Sequence, residues 1–443
     1  MIDFQAVVMA AGRGSRLTEL LTADCLKYQL PVGNLPMIYY PLRALKNAGF
    51  SEAIVVLPSS ARARVDDSLP DRVGLRIDYE FVTSGEDDLG TLQSLRQILL
   101  KGKLKKDVFI VGCDLVTDFD FTLVANLHRV RNATLTALLA PMSQSLRESA
   151  IPGARGKPKL ERDLVGVEPE TRRLVLFNAE ADFEETVAVR RKVLEEHPFV
   201  DVRSDLIDAH VYLLKKWLFP YLQKDENITT VKGELVPFLT RYQFKNAPKQ
   251  TEDVVDGEET ETDIFRYAPS QESEHLGINV VDDVYIRDTG SHKNPIHCYA
   301  YVAEGSFLVR TNTVAGYMEA NRQVRTVIPA DCSSPEQGDL PARSAGRFDN
   351  IVADKVEFGE KSSVRHCVLG PNCQIGAQAK VSDSVLLDGV TVKDGANIQG
   401  CIVCGAQEIG SGAVLKNCVV AHKKNVPAEA KHSNEVLGTF VEI

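Results

Sequence analysis

The order of hydrophobic and polar positions in the first part of the chain predicts alternating strands and helices. Short apolar runs rich in β-branched residues are separated by stretches whose apolar residues recur every three or four positions. This alternation favours an α/β fold with a mostly parallel sheet, which binds ligands beyond the carboxyl ends of its strands. The predicted strands are 5–9, 53–57, 76–82, 108–112 and 134–139, and the predicted helices are 37–47, 91–100 and 121–131.

From residue 350 onward the hydrophobic positions follow a different period. They recur at steps of six, six and five residues, a repeat of seventeen, whereas a helix needs steps of three and four. Three short strands per turn, each with one inward aliphatic side chain, predict a parallel β-helix of hexapeptide repeats. The inward positions are Val352, Phe358, Val364, Leu369, Ile375, Val381, Leu386, Val392, Ile398, Val403, Ile409, Leu415, Val420 and Val426.

The same repeat accounts for several cysteines. One equivalent position per turn carries a small, weakly polar residue, which we expect to stack from turn to turn as structural packing. Cys401 and Cys404 form a C-x-x-C pair, but there is no second pair and no nearby histidine at zinc spacing, so metal or redox function is not expected. The repeated position holds Cys367, Ser384, Cys401 and Cys418.

Three histidines in the β-helix were candidates for general bases, because many β-helices of this kind carry acyltransferase sites. His366, His422 and His432 have no acyl-carrier or nucleotide element beside them in the sequence. We therefore predict surface histidines rather than catalytic bases.

Size and composition limit the class of protein. A chain of 443 residues exceeds what one hydrophobic core spans, which predicts two domains. The formal net charge of −10 argues against a surface that clamps nucleic acid, although a local basic patch is compatible with it. Nine irregularly spaced cysteines without a secretion signal indicate reduced thiols, and no apolar stretch approaches the span of a bilayer. A cytosolic protein is expected.

The composition predicts four segments. Residues 1–247 are assigned to the α/β domain and residues 349–443 to the β-helix. Residues 248–275 are expected to be an acidic linker or loop, because 250–263 contains seven acidic residues and no basic one. Residues 276–348 are expected to connect the two domains.

A loop of small residues follows the first predicted strand. Ala11, Gly12 and Gly14 would let a phosphate approach the backbone amides, and Arg16 and Lys27 would neutralise its charge. The alternative is a tight strand-to-helix turn with solvated arginines. The spacing is neither that of a Walker A loop nor that of G-x-G-x-x-G.

Two further positions lie where a nucleotide would be held. Asp114 follows an apolar strand, where a carboxylate could reach a magnesium ion that bridges phosphates. Gly90 and Thr91 begin a predicted helix, whose amides could meet a base or an anion. The alternatives are a turn or helix-capping role for Asp114 and a simple cap at Thr91.

Together these features resemble the sugar-nucleotide pyrophosphorylases over nearly the whole chain. The resemblance rests on the A-A-G-x-G-x-R loop, Lys27 ahead of L-P-V, the Gly90–Thr91 pair, Asp114 and the hexapeptide β-helix. It implies a Rossmann-like nucleotidyltransferase domain followed by a left-handed β-helix. In that family the loop arginine and the lysine hold a triphosphate, the strand-end aspartate holds magnesium, and a sugar 1-phosphate attacks the α-phosphate.

Several positions depart from that family's pattern. Between Arg16 and Lys27 the chain has one residue too many and lacks two prolines of the family pattern. The D-A-H at 208–210 replaces the Asn-Ala-Gly that seats the sugar, and the acidic stretch 177–185 replaces the Glu-Lys-Pro whose lysine holds the sugar phosphate. A lost phosphate contact costs roughly 2 to 5 kcal/mol, so no catalytic residue is assigned.

The stretches C-D-L-V-T-D, D-A-H-V-Y-L-L-K-K-W and G-E-L-V-P-F-L-T-R-Y-Q-F, with these departures, are similar to the gamma-type subunits of the eukaryotic initiation factor two B complex. That complex is a guanine-nucleotide exchange factor. The resemblance implies a non-catalytic regulatory subunit that pairs directly with the catalytic epsilon subunit, joins alpha, beta and delta subunits in a larger assembly, and helps engage initiation factor two.

The epsilon subunit continues past its β-helix into an exchange domain, for which a chain ending at Ile443 is not expected to have room. No cofactor, metal, membrane or sequence-specific nucleic-acid partner is expected. The alternative is an active pyrophosphorylase such as a mannose-1-phosphate guanylyltransferase. Purine-nucleotide binding without chemistry stays open.

Overall fold

The structure is a computed structural model that describes residues 1–22, 25–66, 68–83, 89–148, 150–154, 162–179, 187, 189, 191–245, 263–269, 294–327 and 349–438. Strands β1–β14 are Phe4–Met9, Pro31–Val32, Leu35–Pro36, Glu52–Pro58, Arg76–Val82, Asp107–Gly112, Leu115–Thr117, Leu135–Pro141, Leu164–Val167, Leu174–Asn178, Asp201–Arg203, Leu206–Leu214, Cys298–Val302 and Leu308–Arg310. Helices α1–α9 are Tyr39–Asn47, Leu69–Val73, Thr91–Leu100, Phe121–Val130, Gln144–Glu148, Arg191–Glu196, Phe219–Lys224, Val236–Tyr242 and Val314–Val327.

A seven-stranded sheet organises the first domain. Its strand order is β13-β8-β12-β6-β1-β4-β5, and every neighbouring pair is parallel except the two that β12 makes with β6 and β8. Alternate residues of β1 enter two separate cores, with Ala6 and Val8 on one face and Val7 and Met9 on the other. The predicted α/β fold, with helices covering both faces of a mostly parallel sheet, is confirmed. Across the described ranges, no helix combines the length and apolarity needed to traverse a bilayer.

The segment 276–348, expected only to connect the domains, also contributes to the first domain. Strand β13 (Cys298–Val302) pairs in parallel with β8, and β14 (Leu308–Arg310) pairs with β7. Tyr317 and Val324 of α9 enter the core of the first domain, where the hydroxyl of Tyr317 donates to Pro31 O. The continuous apolar run at 298–302 thus adds an edge strand to the sheet beside β8. Apart from residues 263–269, the predicted acidic segment 248–275 lies outside the described residues.

The second domain is the predicted parallel β-helix. Its strands form three ladders in which every partner lies seventeen residues further along the chain, as Val368 with Val385 and Val385 with Ile402. The strands are β15–β29: Ile351–Val352, Glu357–Phe358, Ser363–Arg365, Val368–Leu369, Gln374–Ile375, Lys380–Ser382, Val385–Leu386, Thr391–Val392, Asn397–Gln399, Ile402–Val403, Glu408–Ile409, Val414–Lys416, Val419–Val420, Lys431–Ser433 and Val436–Leu437.

The small residues predicted to stack from turn to turn do so through hydrogen bonds. The backbone N–H of Cys401 donates to Ser384 Oγ at 3.0 Å, and that of Cys418 donates to Cys401 Sγ at 3.3 Å. Each of these side chains also donates to the carbonyl two residues earlier, as Ser384 Oγ does to Ser382 O at 2.7 Å. The structural role predicted for this position is therefore confirmed, because the slot supplies hydrogen bonds that a buried backbone needs.

One outer face of the β-helix packs against the first domain. Each turn places one aliphatic side chain on this face, and Ile402 and Val419 at its centre are fully buried. Gly153 lies against it, since a Cβ there would be 2.7 Å from Val436 Cγ2 and 3.2 Å from Val419 Cγ2. We call this face the aliphatic stripe, and it consists of Ile351, Val368, Val385, Ile402, Val419 and Val436.

Replacing Ile402 with Asp is expected to separate the two domains, because it puts an unpaired carboxylate into a fully buried apolar contact. We expect a loss of about 3 kcal/mol or more and a calorimetric unfolding transition that splits in two. The matched control is Val414→Asp on a solvent-facing side of the β-helix, where 37% of the residue is exposed. A single, unshifted transition in Ile402→Asp would show that the stripe does not couple the domains.

Candidate functional site

The loop of small residues lies at the carboxyl end of β1, as predicted. The N–H of Ala10 donates to Val56 O at 2.9 Å, which ties the start of the loop to β4. Gly14 has φ +83°, and a Cβ there would lie 2.7 Å from Leu21 Cδ1, so glycine is required. Gly12 faces open space, Arg16 is exposed, and Ala11 is nearly buried.

Lys27 and Asp114 come together although they are far apart in sequence. β1 and β6 are parallel neighbours, so the segments that follow them meet at one sheet edge. Lys27 Nζ donates to Asp114 Oδ2 at 2.8 Å, and the Asp114 side chain is only 2% exposed. The two residues predicted to contact a nucleotide and its metal thus form an ion pair with each other.

Asp114 also pairs with a second cation, which sequence reasoning missed. Arg310 Nη2 donates to Asp114 Oδ2 at 3.0 Å and Arg310 Nε to Oδ1 at 3.4 Å. Burial alone would raise the pKa of Asp114, but Arg310 and Lys27 hold it well below its usual value. The carboxylate is thus ionised and compensated by two side chains of its own chain.

The pairing of β14 with β7 fixes Arg310 in this position. Arg310 lies opposite Leu115 in that antiparallel ladder. The next residue, Thr311, donates from its N–H and its hydroxyl to the carbonyl of Asp114 at 2.7 and 2.9 Å. No local motif marks Arg310, which lies 196 residues beyond Asp114 and is brought there only by tertiary structure.

His210, which belongs to β12, lies beside the Asp114 carboxylate. It occupies a break in the register of β12 with φ +57°, a conformation uncommon for residues other than glycine. A Cβ on Gly112 would lie 2.6 Å from His210 Nδ1 and 2.8 Å from Asp114 Oδ1, so the absence of a side chain at Gly112 makes room for both. Burial, together with the charge of Arg310, lowers the pKa of His210 to about 4.

Asp208 faces inward rather than toward a ligand. Its carboxylate accepts hydrogen bonds from the Tyr212 hydroxyl and, at 3.1 Å, from the His210 backbone N–H. The D-A-H at 208–210 therefore shapes the strand break and fills the space beside Gly112. Residues 180–185 of the predicted acidic strip lie outside the described residues, while Phe177 is buried in β10.

The N-terminus of α3, where Gly90 and Thr91 were predicted to meet a ligand, is occupied by the chain itself. The N–H groups of Leu92 and Gln93 donate to Thr229 O at 2.9 and 3.1 Å. A Cβ on Gly90 would lie 2.3 Å from that oxygen, so glycine here permits the close approach. The hydroxyl of Thr91 accepts the N–H of Val231 at 3.0 Å.

The segment that differs most from the pyrophosphorylase pattern contacts the β-helix. Glu19 O accepts from Cys404 Sγ at 3.5 Å, and Leu20 O lies 3.3 Å from His422 Nε2. His422 is thus an interdomain contact rather than the surface histidine that was predicted. His366 is exposed, and His432 Nδ1 lies 2.8 Å from Glu435 Oε1. Within the described parts of the chain, no group of three or more His, Cys, Asp and Glu residues could hold a metal ion.

Comparison with known proteins gives two family matches. The "Nucleotidyl transferase" family model matches residues 5–149, and the "EIF2B subunit epsilon LbH domain" model matches residues 341–431. These matches confirm the two-part fold and the left-handed β-helix.

Three relatives carry the name translation initiation factor eIF2B subunit gamma. The Schizosaccharomyces pombe protein is 27% identical over 74% of this chain and 67% of its own length. The Caenorhabditis elegans protein is 28% identical over 55% and 60%, and the Dictyostelium discoideum protein 22% identical over 84% and 88%. Over most of its length, the chain is similar to these eIF2B gamma subunits.

Other relatives match shorter stretches of the chain. The S. pombe protein named eIF2B subunit epsilon is 25% identical over 47% of the chain and 30% of its own length. A mannose-1-phosphate guanyltransferase of Yarrowia lipolytica is 22% identical over 36% of the chain and 43% of its own length. This match to a transferase covers about a third of the chain.

Proposed function

We propose that the chain is a non-catalytic regulatory subunit of the guanine-nucleotide exchange factor for initiation factor two. The observation that carries the proposal is its similarity to eIF2B gamma proteins across both domains. In this role it pairs with an epsilon subunit in the cytosol, joins alpha, beta and delta subunits, and promotes exchange of GDP for GTP on initiation factor two.

The geometry of the site supports a role without nucleotidyl transfer. Magnesium would have to displace Lys27 and Arg310 from Asp114, and both contacts are charge-assisted hydrogen bonds. A nucleotide at the N-terminus of α3 would meet amides already bonded to Thr229 O. At both positions, the groups that would bind a ligand are bonded to other residues of the chain. A role in the fold explains these positions better than a role in catalysis.

An active sugar-nucleotide pyrophosphorylase is the second candidate, favoured by the match to mannose-1-phosphate guanyltransferases. In that case Arg16 and Lys27 would hold the triphosphate and Asp114 the metal. The open space in front of Gly12 is compatible with a purine nucleotide bound without chemistry.

The proposal is tested by GDP release from purified initiation factor two. We expect labelled GDP to leave initiation factor two at least about tenfold faster with the epsilon subunit and this chain together than with the epsilon subunit alone. A tenfold faster release corresponds to a barrier lowered by about 1.4 kcal/mol. Equal rates, with the two subunits shown to co-purify, would contradict the proposal.

A second measurement separates the two candidates. The purified chain is expected to release no pyrophosphate from any nucleoside triphosphate with magnesium and a panel of sugar 1-phosphates. Turnover above about 1 per second, typical of an enzyme, would establish the transferase. An Asp114→Asn variant serves as the control, since true turnover should fall with it and a contaminant's should not.

A further inference from the structure

The end of the seven-stranded sheet opposite the candidate site, where β1 and β6 begin, carries a dense group of basic residues. It is formed by the start of β1, the turn from α3 to β6, the end of α4 and the turn after β12. We call this surface the basic edge. Its basic residues are Lys101, Lys103, Lys105, Lys106, Arg129, Arg131, Lys215 and Lys216.

Direct contacts tie several of these residues to the start of β1 and β6. The Gln5 side chain donates to Lys103 O and accepts the N–H groups of Lys105 and Lys106, which fixes the turn against β1. Lys106 Nζ donates to Ile2 O at 2.6 Å. At the same edge, Arg129 pairs with Asp3, and Lys215 pairs with Asp107 at the start of β6.

The charge of the basic edge opposes that of the whole chain. Its eight basic residues face four acidic ones, an excess of four positive charges in a chain with a formal charge of −10. Lys105, Lys106 and Lys216 are exposed, and in the part of the chain that the structure describes none of their ammonium groups contacts a carboxylate, although the backbone N–H of Lys216 donates to Asp107 Oδ1 at 2.9 Å. The acidic residues are Asp3, Asp78, Glu80 and Asp107.

Three large aliphatic side chains are exposed among these charges. Ile2 is 88% exposed, and Leu100 and Val130 are each 67% exposed. Each lies beside a basic residue, with Ile2 at Lys106, Leu100 at Lys101 and Val130 at Arg129. Aliphatic side chains exposed beside charged ones add apolar contact area for a partner.

We propose that the basic edge binds an acidic polypeptide segment of a partner protein that also carries aliphatic side chains. Charge complementarity selects an acidic partner, and Lys105, Lys106 and Lys216 supply ammonium groups that no carboxylate of the described residues contacts. The aliphatic residues favour a polypeptide over RNA, because base recognition uses exposed aromatic faces, and the exposed apolar residues here are aliphatic. The inference stands independently of the proposed exchange function.

The test measures binding of a fluorescent synthetic peptide of repeated Glu-Glu-Leu-Asp to the full chain by anisotropy. The variant combines Lys105→Glu, Lys106→Glu and Lys216→Glu and is expected to bind at least about tenfold more weakly. The matched control reverses three exposed lysines of the β-helix, Lys423→Glu, Lys424→Glu and Lys431→Glu, and is expected to retain affinity. Circular dichroism checks that both variants fold.

Two further outcomes decide the chemistry of the partner. A Glu-Glu-Ser-Asp peptide of the same charge is expected to bind several-fold more weakly than the leucine peptide. Equal loss of affinity in both lysine variants would overturn the basic edge as the site. Tighter binding of a single-stranded oligouridylate of equal charge, lost in the edge variant, would overturn the polypeptide and assign RNA instead.

Discussion

Replacing Asp114 with Ala is expected to lower the free energy of unfolding by about 3 to 5 kcal/mol. The substitution leaves Lys27 and Arg310 facing each other without the carboxylate that both contact at 3.0 Å or less. It also opens a cavity beside His210 and Gly112. Guanidinium denaturation followed by tryptophan fluorescence and circular dichroism measures the change.

A matched control distinguishes this buried group from an ordinary ion pair. Asp205 pairs with Arg203 at 2.9 Å, but its side chain is 40% exposed, so Asp205→Ala is expected to cost less than about 1 kcal/mol. A triple variant with Asp114→Leu, Lys27→Met and Arg310→Met is expected to recover much of the stability that Asp114→Ala loses, since apolar groups can replace a buried ionic cluster. A loss in Asp114→Ala as small as that of the control would refute the assignment of Asp114 as a structural centre.

Acidification is expected to destabilise the first domain well before its carboxylates titrate. Burial lowers the pKa of His128 to about 3, and burial with Arg310 lowers that of His210 to about 4. Both values lie below the value of about 6.5 for an unfolded chain, so the unfolded state binds more protons as the pH falls. Stability is then lost from about pH 6.5 downward, by about 2.5 kcal/mol for each histidine at pH 4.5.

The two histidines can be separated by substitution. His128→Gln and His210→Gln are each expected to remove about half of the pH dependence between pH 6.5 and 4.5, measured as the denaturation midpoint. His366→Gln, at an exposed corner of the β-helix, should leave the slope unchanged. A slope that survives in the double variant would assign the effect to other groups.

The sequence predicted the repeat of the β-helix because its hydrophobic period is strict and local. Phe358, predicted to point inward, is an exception: it lies in the first described turn and is 51% exposed. Every turn repeats the same steps, so residues such as Leu369 and Leu386 identify their own partners. The position of Asp114 at the carboxyl end of β6 was also predictable, since an apolar strand directly precedes it. The role of Arg310 was not, because it depends on the pairing of two short strands distant in sequence. For the same reason, the hydrogen bonds from the N–H groups of Leu92 and Gln93 to Thr229 O could not be predicted from the sequence.

The aliphatic stripe has the translational symmetry of the β-helix that carries it. Displacing the β-helix by one turn, about 4.8 Å, would bring Val385 to the place of Val368 and Ile402 to that of Val385, so the apolar contact alone distinguishes poorly between neighbouring registers. The contacts that do not repeat must select one register. These include Asn34 Nδ2 with Leu369 O at 2.8 Å and Gly153 N–H with Asn417 O at 2.8 Å. The hydrophobic surface holds the two domains together, while a few polar contacts determine which turn of the β-helix faces which part of the first domain.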